Sequence, residues 1–199
     1  MTAPHRNWDE RYKTGELPWN SNIRSRELAR VLDECKIAPG RAVELGSGTG
    51  TNAVFLAEKG FDVTALDVSP MAIELAQKRA EAAGVDVKFF NADLADMKLD
   101  LKPFDFIFDR GCFHCVRREN LDGFRETLKK LSKPGTRYLV LTGNANEQNE
   151  HEGPPRLHEH EIRQDLEDLF EIEFIREMRF EDAGGVEGPL GWSCLLTRR

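Results

Sequence analysis

From residue 41 onward the chain alternates short apolar runs with longer stretches that carry apolar residues at helical spacing. Arg41 to Leu45 reads as a short buried strand, and Asn52 to Lys59 as a helix with Ala53, Phe55, Leu56 and Ala57 on its apolar positions. Phe61 to Leu66, rich in β-branched and apolar residues, predicts a second strand. Ser69-Pro70 then opens a helix over Met71 to Ala83, with serine as the cap, proline at the first helical position and Gly84 as the stop. Val85 to Phe90 and Phe104 to Phe108 read as the third and fourth strands. Leu121 to Leu131 reads as a helix, and Arg137 to Leu141 as a fifth strand after a Lys-Pro-Gly turn at 133–135. Strands alternating with helices of about a dozen residues imply βαβ units and a parallel sheet.

The carboxyl end breaks this rhythm. His158 to Phe170 has a helical pattern, but Glu171 to Phe180 and Leu190 to Thr197 are two strand candidates across a Gly-rich loop, which predicts an antiparallel hairpin. Two stretches lack a period. Met1 to Asn22 carries Trp8, Tyr12 and Trp19, spaced too widely for one apolar stripe, and the polar Asn144 to Leu157 contains Gly153-Pro154-Pro155. They read either as frayed terminus and surface loop, or as covers over a pocket.

Composition narrows the classes. The 199 residues include 28 Lys+Arg against 35 Asp+Glu, a net charge of −7, which argues against a nucleic-acid partner. With 40% hydrophobic and 32% charged residues, the chain is that of a globular protein. It has neither an apolar run long enough for a bilayer nor a leader-like start, so no membrane partner and a cytoplasmic location are expected. Its four cysteines do not make a disulfide scaffold. One domain over 1–199 is expected, with 1–24 as a cover segment and 25–199 as the catalytic core; a monomer is the favoured state.

The strongest chemical signal is Glu44-Leu45-Gly46-Ser47-Gly48-Thr49-Gly50, at the end of a predicted strand and the start of a predicted helix. Glycines let backbone turn tightly and approach a ligand closely. Thr51 stands where a dinucleotide fingerprint places its third glycine, and Glu44 is unsuited to a pyrophosphate but suits a cationic group such as an amino acid's ammonium. Asp67, at the end of the second strand, is placed to accept both hydroxyls of a ribose.

This loop, the Asp67 acid and the terminal hairpin together resemble the class I S-adenosylmethionine-dependent methyltransferases. The resemblance implies a Rossmann-like α/β fold: a seven-stranded, mostly parallel sheet with a C-terminal antiparallel strand and helices on both faces. It also implies S-adenosylmethionine as cofactor, S-adenosylhomocysteine as product and a small-molecule acceptor. Trp8, Trp19, Glu44, Gly46, Ser47, Gly48, Thr49, Gly50, Asp67, Val68, Asp93, Leu94 and Asp109 are then the cofactor residues, with Asp93 accepting from the adenine amine. Asp109-Arg110-Gly111 after the fourth strand, Gly153-Pro154-Pro155, and the segment Trp8 to Asn20 resemble the thiopurine, thiol/halide and tellurite-resistance methyltransferases. Arg110 and Asp109 are the catalytic candidates, and Tyr12, Arg110, Cys112, Phe113 and Pro154 the substrate side.

A guanidinium at Arg110 orients an anionic acceptor or a thiolate, or else pairs with Asp109 or Asp105. No cation stands in the loop before the last strand, which departs from the group's mammalian members and points away from a thiopurine. The expected acceptor is a small thiol, a sulfide, or a related selenium, tellurium or halide species; a thiol near pKa 8.5 needs no dedicated base. The alternatives are methyl transfer to an oxygen or nitrogen of a metabolite, a binding protein without catalysis, and a nicotinamide oxidoreductase. No metal is expected: Cys112-Phe113-His114-Cys115 lacks a second ligand pair, and His151, His158 and His160 read as an acid-rich helix start. Arg117-Arg118 and the acids of 161–169 are expected on solvated faces.

Overall fold

The computed structural model describes residues 7–148, 155–181 and 187–199. Strands β1 (Arg41–Leu45), β2 (Asp62–Asp67), β3 (Val87–Asn91), β4 (Phe104–Arg110), β5 (Ser132–Asn144), β7 (Phe170–Glu181) and β8 (Glu187–Arg198) lie in the order β3-β2-β1-β4-β5-β8-β7, with the two-residue β6 (Arg156–Leu157) beside β5. The pairs among β1 to β5 are parallel, and β8 runs antiparallel to both β5 and β7. This is the expected sheet. Order reverses between β1 and β4, so a crevice opens at their carboxyl ends, where open α/β sheets hold ligands.

Strand alternation divides the core in two. Val43, Leu45, Ile107 and Val140 face the side covered by α5 (Phe113–Leu131) and α6 (Glu159–Leu166). Ala42, Phe106, Phe108, Leu139 and Leu141 face α2 (Arg26–Glu34) and α3 (Thr51–Glu58). Helix α4 (Pro70–Ala83) begins as predicted: the Ser69 hydroxyl accepts from the Ala72 amide, Pro70 opens the helix, and Gly84 ends it at φ +67.

Four elements differ from the expectation. Trp8–Thr14 forms a helix, α1, because Asn7 caps it by accepting from the Glu10 amide and Gly15 ends it in the left-handed conformation. Helix α2 also went unpredicted; Ser25 caps it through the Leu28 amide. Helix α5 starts at Phe113 and not at 121, because Asn120 (φ −157, ψ 87) breaks it into two pieces. The Asn120 Oδ1 then accepts from the Gly123 amide, as a cap for the second piece. Strand β5 takes in the Lys-Pro-Gly turn as an irregularity in its pairing with β4.

The charges of α6 do not all face solvent. Asp165 is buried and pairs with Arg117 Nε at 2.5 Å, and Glu161 lies 3.4 Å from Arg117 Nη1, so these residues tie α6 to α5. Among the described residues, no helix is long and apolar enough to cross a membrane.

Gly123 carries a testable consequence of this packing. A Cβ there would lie 1.9 Å from the Ala95 carbonyl oxygen and 2.3 Å from Asn120 Nδ2. In an open helix Gly→Ala gains about 1 kcal/mol. Here the clash with backbone wins: Gly123→Ala is expected to lose about 1–3 kcal/mol in a denaturant titration, and a gain would show that the α5 break is slack.

Candidate functional site

The glycine loop leaves β1 and enters α3 with Gly46, Gly48 and Gly50 at φ +64, +53 and +77, backbone that side chains rarely adopt. It is also closely packed. A Cβ on Gly46 would stand 2.7 Å from Cys112 Cβ, one on Gly48 2.9 Å from the Tyr12 hydroxyl, and one on Gly50 2.8 Å from Ala76 Cβ. So three different elements press on this turn: the start of α5, the terminal helix α1, and α4.

Glu44, 2% exposed, sits at its base. Its Oε1 accepts from Asn52 Nδ2 at 3.3 Å, while Oε2 is buried with no partner. Burial pushes the Glu44 carboxyl up to about 8 against the pull of Asn52, the Ala53 amide and Arg110. The Ser47 hydroxyl beside it is likewise buried and unpartnered. An unmet buried acceptor next to an unmet hydroxyl fits the amino-acid end of a ligand: an ammonium for the acid, a carboxylate for the hydroxyl.

Asp67, at the end of β2, accepts from the Gly48 amide at 2.8 Å through one oxygen and from the Ser69 amide at 2.9 Å through the other. Burial raises its pKa. Each carboxylate oxygen keeps a second lone pair for a further donor. Val68 next to it is 46% exposed, unusual for its type. Asp93 is exposed, its Oδ1 accepting from the Ala95 amide, whereas Leu94 is buried. Thr49 is turned toward α4: Arg79 Nε donates to its carbonyl at 2.8 Å.

The aromatic residues of the terminal segment converge. Trp8 and Trp19 meet edge to face at 5.3 Å, and Tyr12 and Trp19 at 6.0 Å, with the Trp19 indole N–H donating to the Tyr12 hydroxyl. Burial and Asp67 push the Tyr12 phenol up. Helix α1 is fastened by Asp9, whose Oδ1 accepts from the Ser69 hydroxyl at 2.8 Å and the Met71 amide at 3.0 Å, while Oδ2 pairs with Lys13 at 2.7 Å. Lys13, Met71 and Ser69 hold the Asp9 carboxyl down to about 2. The segment is thus fastened onto the amino end of α4.

At the end of β4 the expectations divide. Asp109 and Arg110 do not pair, nor does Arg110 meet Asp105. Asp109 is wholly buried and accepts from the amides of Cys112 (2.8 Å) and Phe113 (2.9 Å) and from the Tyr138 hydroxyl (3.4 Å). Burial pushes it up to about 7. It shapes the turn into α5 and presents nothing to a cofactor or substrate, which corrects its place among the catalytic and cofactor candidates. Phe113 is corrected too: it is fully buried against Phe124. Cys112 stays at the cleft, packed on Gly46, with its thiol pushed up by burial. Arg110 instead pairs with Glu181 at 3.4 Å, donates to the Trp19 carbonyl at 3.4 Å, and lies 5.0 Å from the Phe180 ring.

Pro154 and His151 lie outside the described residues. Among the described residues, no group of His, Cys, Asp and Glu is arranged to hold a metal, and no disulfide joins the cysteines. Pattern reading missed Asn52, Asp9 and Glu181. Asn52 left a faint signal, a polar residue amid the apolar positions of α3; Glu181 left none, because only the sheet brings it to Arg110.

Comparison with known proteins agrees with this geometry. Residues 42–135 match the family model described as a methyltransferase domain. A 2-heptyl-1-hydroxyquinolin-4(1H)-one methyltransferase from Mycobacteroides abscessus is 27% identical over 84% of this chain and 77% of its own. Probable thiol methyltransferase 2 from Arabidopsis thaliana is 27% identical over 74% of this chain and 65% of its own. A SAM-dependent methyltransferase from Aquifex aeolicus superposes with a TM-score of 0.72 at 22% identity, covering 94% of this chain and 97% of that one. Residues 42–135 therefore match a methyltransferase domain, on a fold shared with SAM-dependent methyltransferases, and the chain is an enzyme of the methyltransferase type.

Proposed function

We propose that the enzyme methylates a small soft nucleophile: a thiol, a sulfide, or a related selenium, tellurium or halide species. The observation that carries this reading is the condition of the acids at the ends of β1 and β4. Asp109 is buried and filled by donors from its own turn, and the open oxygen of Glu44 is taken, in this reading, by the ammonium of the cofactor. Neither is free to strip a proton from an amine or an alcohol. A thiol, ordinarily near pKa 8.5, already exists as a few per cent thiolate at pH 7 and asks little of the protein. Phe180 beside Arg110, and Cys112 over Gly46, add polarizable walls that suit a large, soft atom.

In this reading Glu44 and Ser47, with the backbone of Gly46 to Gly50, hold the amino-acid end of S-adenosylmethionine. Asp67 takes the ribose hydroxyls, and Val68, Asp93 and Leu94 frame the adenine. Trp8 and Trp19 keep water from the cofactor, while Tyr12 and Arg110 border the acceptor. The cofactor supplies a methyl group already activated on a sulfonium. The protein's task is alignment in a dry cleft, which lowers a barrier by about 7–11 kcal/mol when two reactants are held in line. The Mycobacteroides abscessus relative, named for a hydroxylated quinolinone, favours a second reading in which a metabolite oxygen or nitrogen is methylated.

Turnover measured in parallel on hydrogen sulfide, small thiols, iodide, and hydroxyl or amine compounds separates the two readings. Sulfur acceptors are expected to lead by at least about tenfold in kcat/KM, some 1.4 kcal/mol of barrier; methylation confined to oxygen and nitrogen would discard the first reading.

Glu44 gives a second expectation. With its pKa at about 8, it is protonated in the free protein at pH 7, and an ammonium docking beside Oε2 favours the ionised form. S-adenosylhomocysteine should therefore release close to one proton at pH 7 and bind more tightly as pH rises from 6 to 8. Calorimetry in buffers of different ionisation enthalpy checks this. Glu44→Gln is expected to abolish the buffer dependence and to weaken binding about 10- to 100-fold, the loss of one charged hydrogen bond. Buffer-independent heats in the wild type would show that the ammonium sits elsewhere.

A further inference from the structure

We propose that Arg79 is a positioning residue: from behind the glycine loop it holds the terminal segment at Asn22, so that loop and segment fix each other's place. The proposal rests on the reading in which S-adenosylmethionine lies against Gly46 to Gly50 and Trp8 and Trp19 cover it.

Helix α4 packs on the glycine loop through one face. Ala76 stands under Gly50, and Arg79 follows three positions later on that face. The Arg79 Nε donates to the Thr49 carbonyl at 2.8 Å, and its Nη2 donates to Asn22 Oδ1 at 2.6 Å. These two nitrogens form one edge of the planar guanidinium, so a single rigid group joins the loop to the chain that follows Trp19. The same Nη2 lies 3.5 Å from the Thr49 hydroxyl, which in turn donates to Asn20 Oδ1 at 3.4 Å. Loop and segment therefore meet by two routes at one place.

Among the described residues these partners of Arg79 are neutral oxygens, so the site uses the shape of the fork and not the pairing of charges. Both of its ends need holding. Thr49 is flanked by Gly48 and Gly50, each at positive φ, and its peptide has little steric restraint of its own. Asn22 stands at φ +55, where the chain turns between Trp19 and the α2 cap Ser25. Asp9 fastens the segment to the amino end of α4, and Arg79 fastens it roughly two turns further along the same helix. Tyr12 and Trp19 lie in the chain between these two points, so the second fastening sets how far the aromatic group can lift from the loop. Arg79 acts through Thr49 and Asn22 and takes no part in bond making.

Hydrogen exchange read by mass spectrometry, with S-adenosylhomocysteine kept saturating, tests this. The Asn20 and Asn22 amides are hydrogen-bonded within the segment and report its closure. In the wild type the ligand is expected to slow exchange over residues 44–50 and, by about tenfold, over residues 16–24. Arg79→Gln, and Asn22→Gly, which keeps the left-handed turn, should each cut the slowing over 16–24 to about threefold or less while 44–50 stays protected. In turnover, Asn22→Gly should lower kcat about tenfold, the loss of one charged hydrogen bond, with the S-adenosylmethionine KM changed less than about threefold. Protection of 16–24 that persists in both variants overturns the proposal. So does a parallel loss over 44–50 and 16–24, the mark of a merely structural tie. If Arg79→Gln does not fold, Asn22→Gly alone decides. Wild-type protection of 44–50 with none over 16–24 overturns the proposal and leaves the cofactor reading standing; protection of neither overturns both.

Discussion

The structure turns on a carboxylate placed where water cannot reach it. Glu44 sits at the carboxyl end of the central strand with one oxygen unmet, and burial, with Asp67 nearby, pushes its proton affinity well above the ordinary range for glutamate. A buried charge is tolerated when opposite charge or donors are brought to it. Here the protein supplies a partial answer: Asn52 donates to one oxygen and Arg110 contributes attraction from a distance. The incomplete answer is what makes the site receptive. The same asparagine accepts from the Ser25 amide at 2.8 Å, so the residue that steadies Glu44 also fixes where α2 begins.

From that constraint the two ends of the chain acquire their places. Helix α2 starts next to Asn52, and its first amide holds Glu181, which brings the end of β7 to Arg110. Just upstream, Trp19 gives its carbonyl to Arg110 and its indole N–H to Tyr12, whose hydroxyl lies over Gly48. Residues from 12 to 181 thus close a ring around the end of β4 through hydrogen bonds and ring contacts rather than through one apolar seam. The cover is correspondingly modest in strength. Its outer fastening, Asp9 on the amino end of α4, is partly exposed, and such contacts contribute little beyond geometry.

How much of this could be read from the residues depends on how far each interaction reaches along the chain. The parallel core, the glycine turn, the cap at Ser69 and the closing hairpin depend on neighbours within a few positions, and they appear where apolar period and turn residues place them. Helix α1 escaped because its stability lies in its caps and in Asp9, not in an apolar stripe. Helix α5 was truncated because Asn120 breaks its period halfway. Asp109 was misassigned for a related reason: the acid next to an arginine at a strand end is indistinguishable in sequence from one that faces a ligand. Only the turn that follows shows both oxygens occupied by amides and the Tyr138 hydroxyl.

Arg110 shows where local reading stops. Its position at the end of β4 is a short-range fact, and it was foreseen. Its partner in the assembled site is a long-range fact, a glutamate 71 residues away that reaches it only because β7 lies at the far side of β8 and ends beside α2. The same arginine has different partners in the two settings: a neighbouring acid is the natural one in sequence, a distant one in the fold. Pairing it with a carboxylate anchored on a helix end fixes the orientation of the guanidinium, because Glu181 is itself held by the first amide of α2.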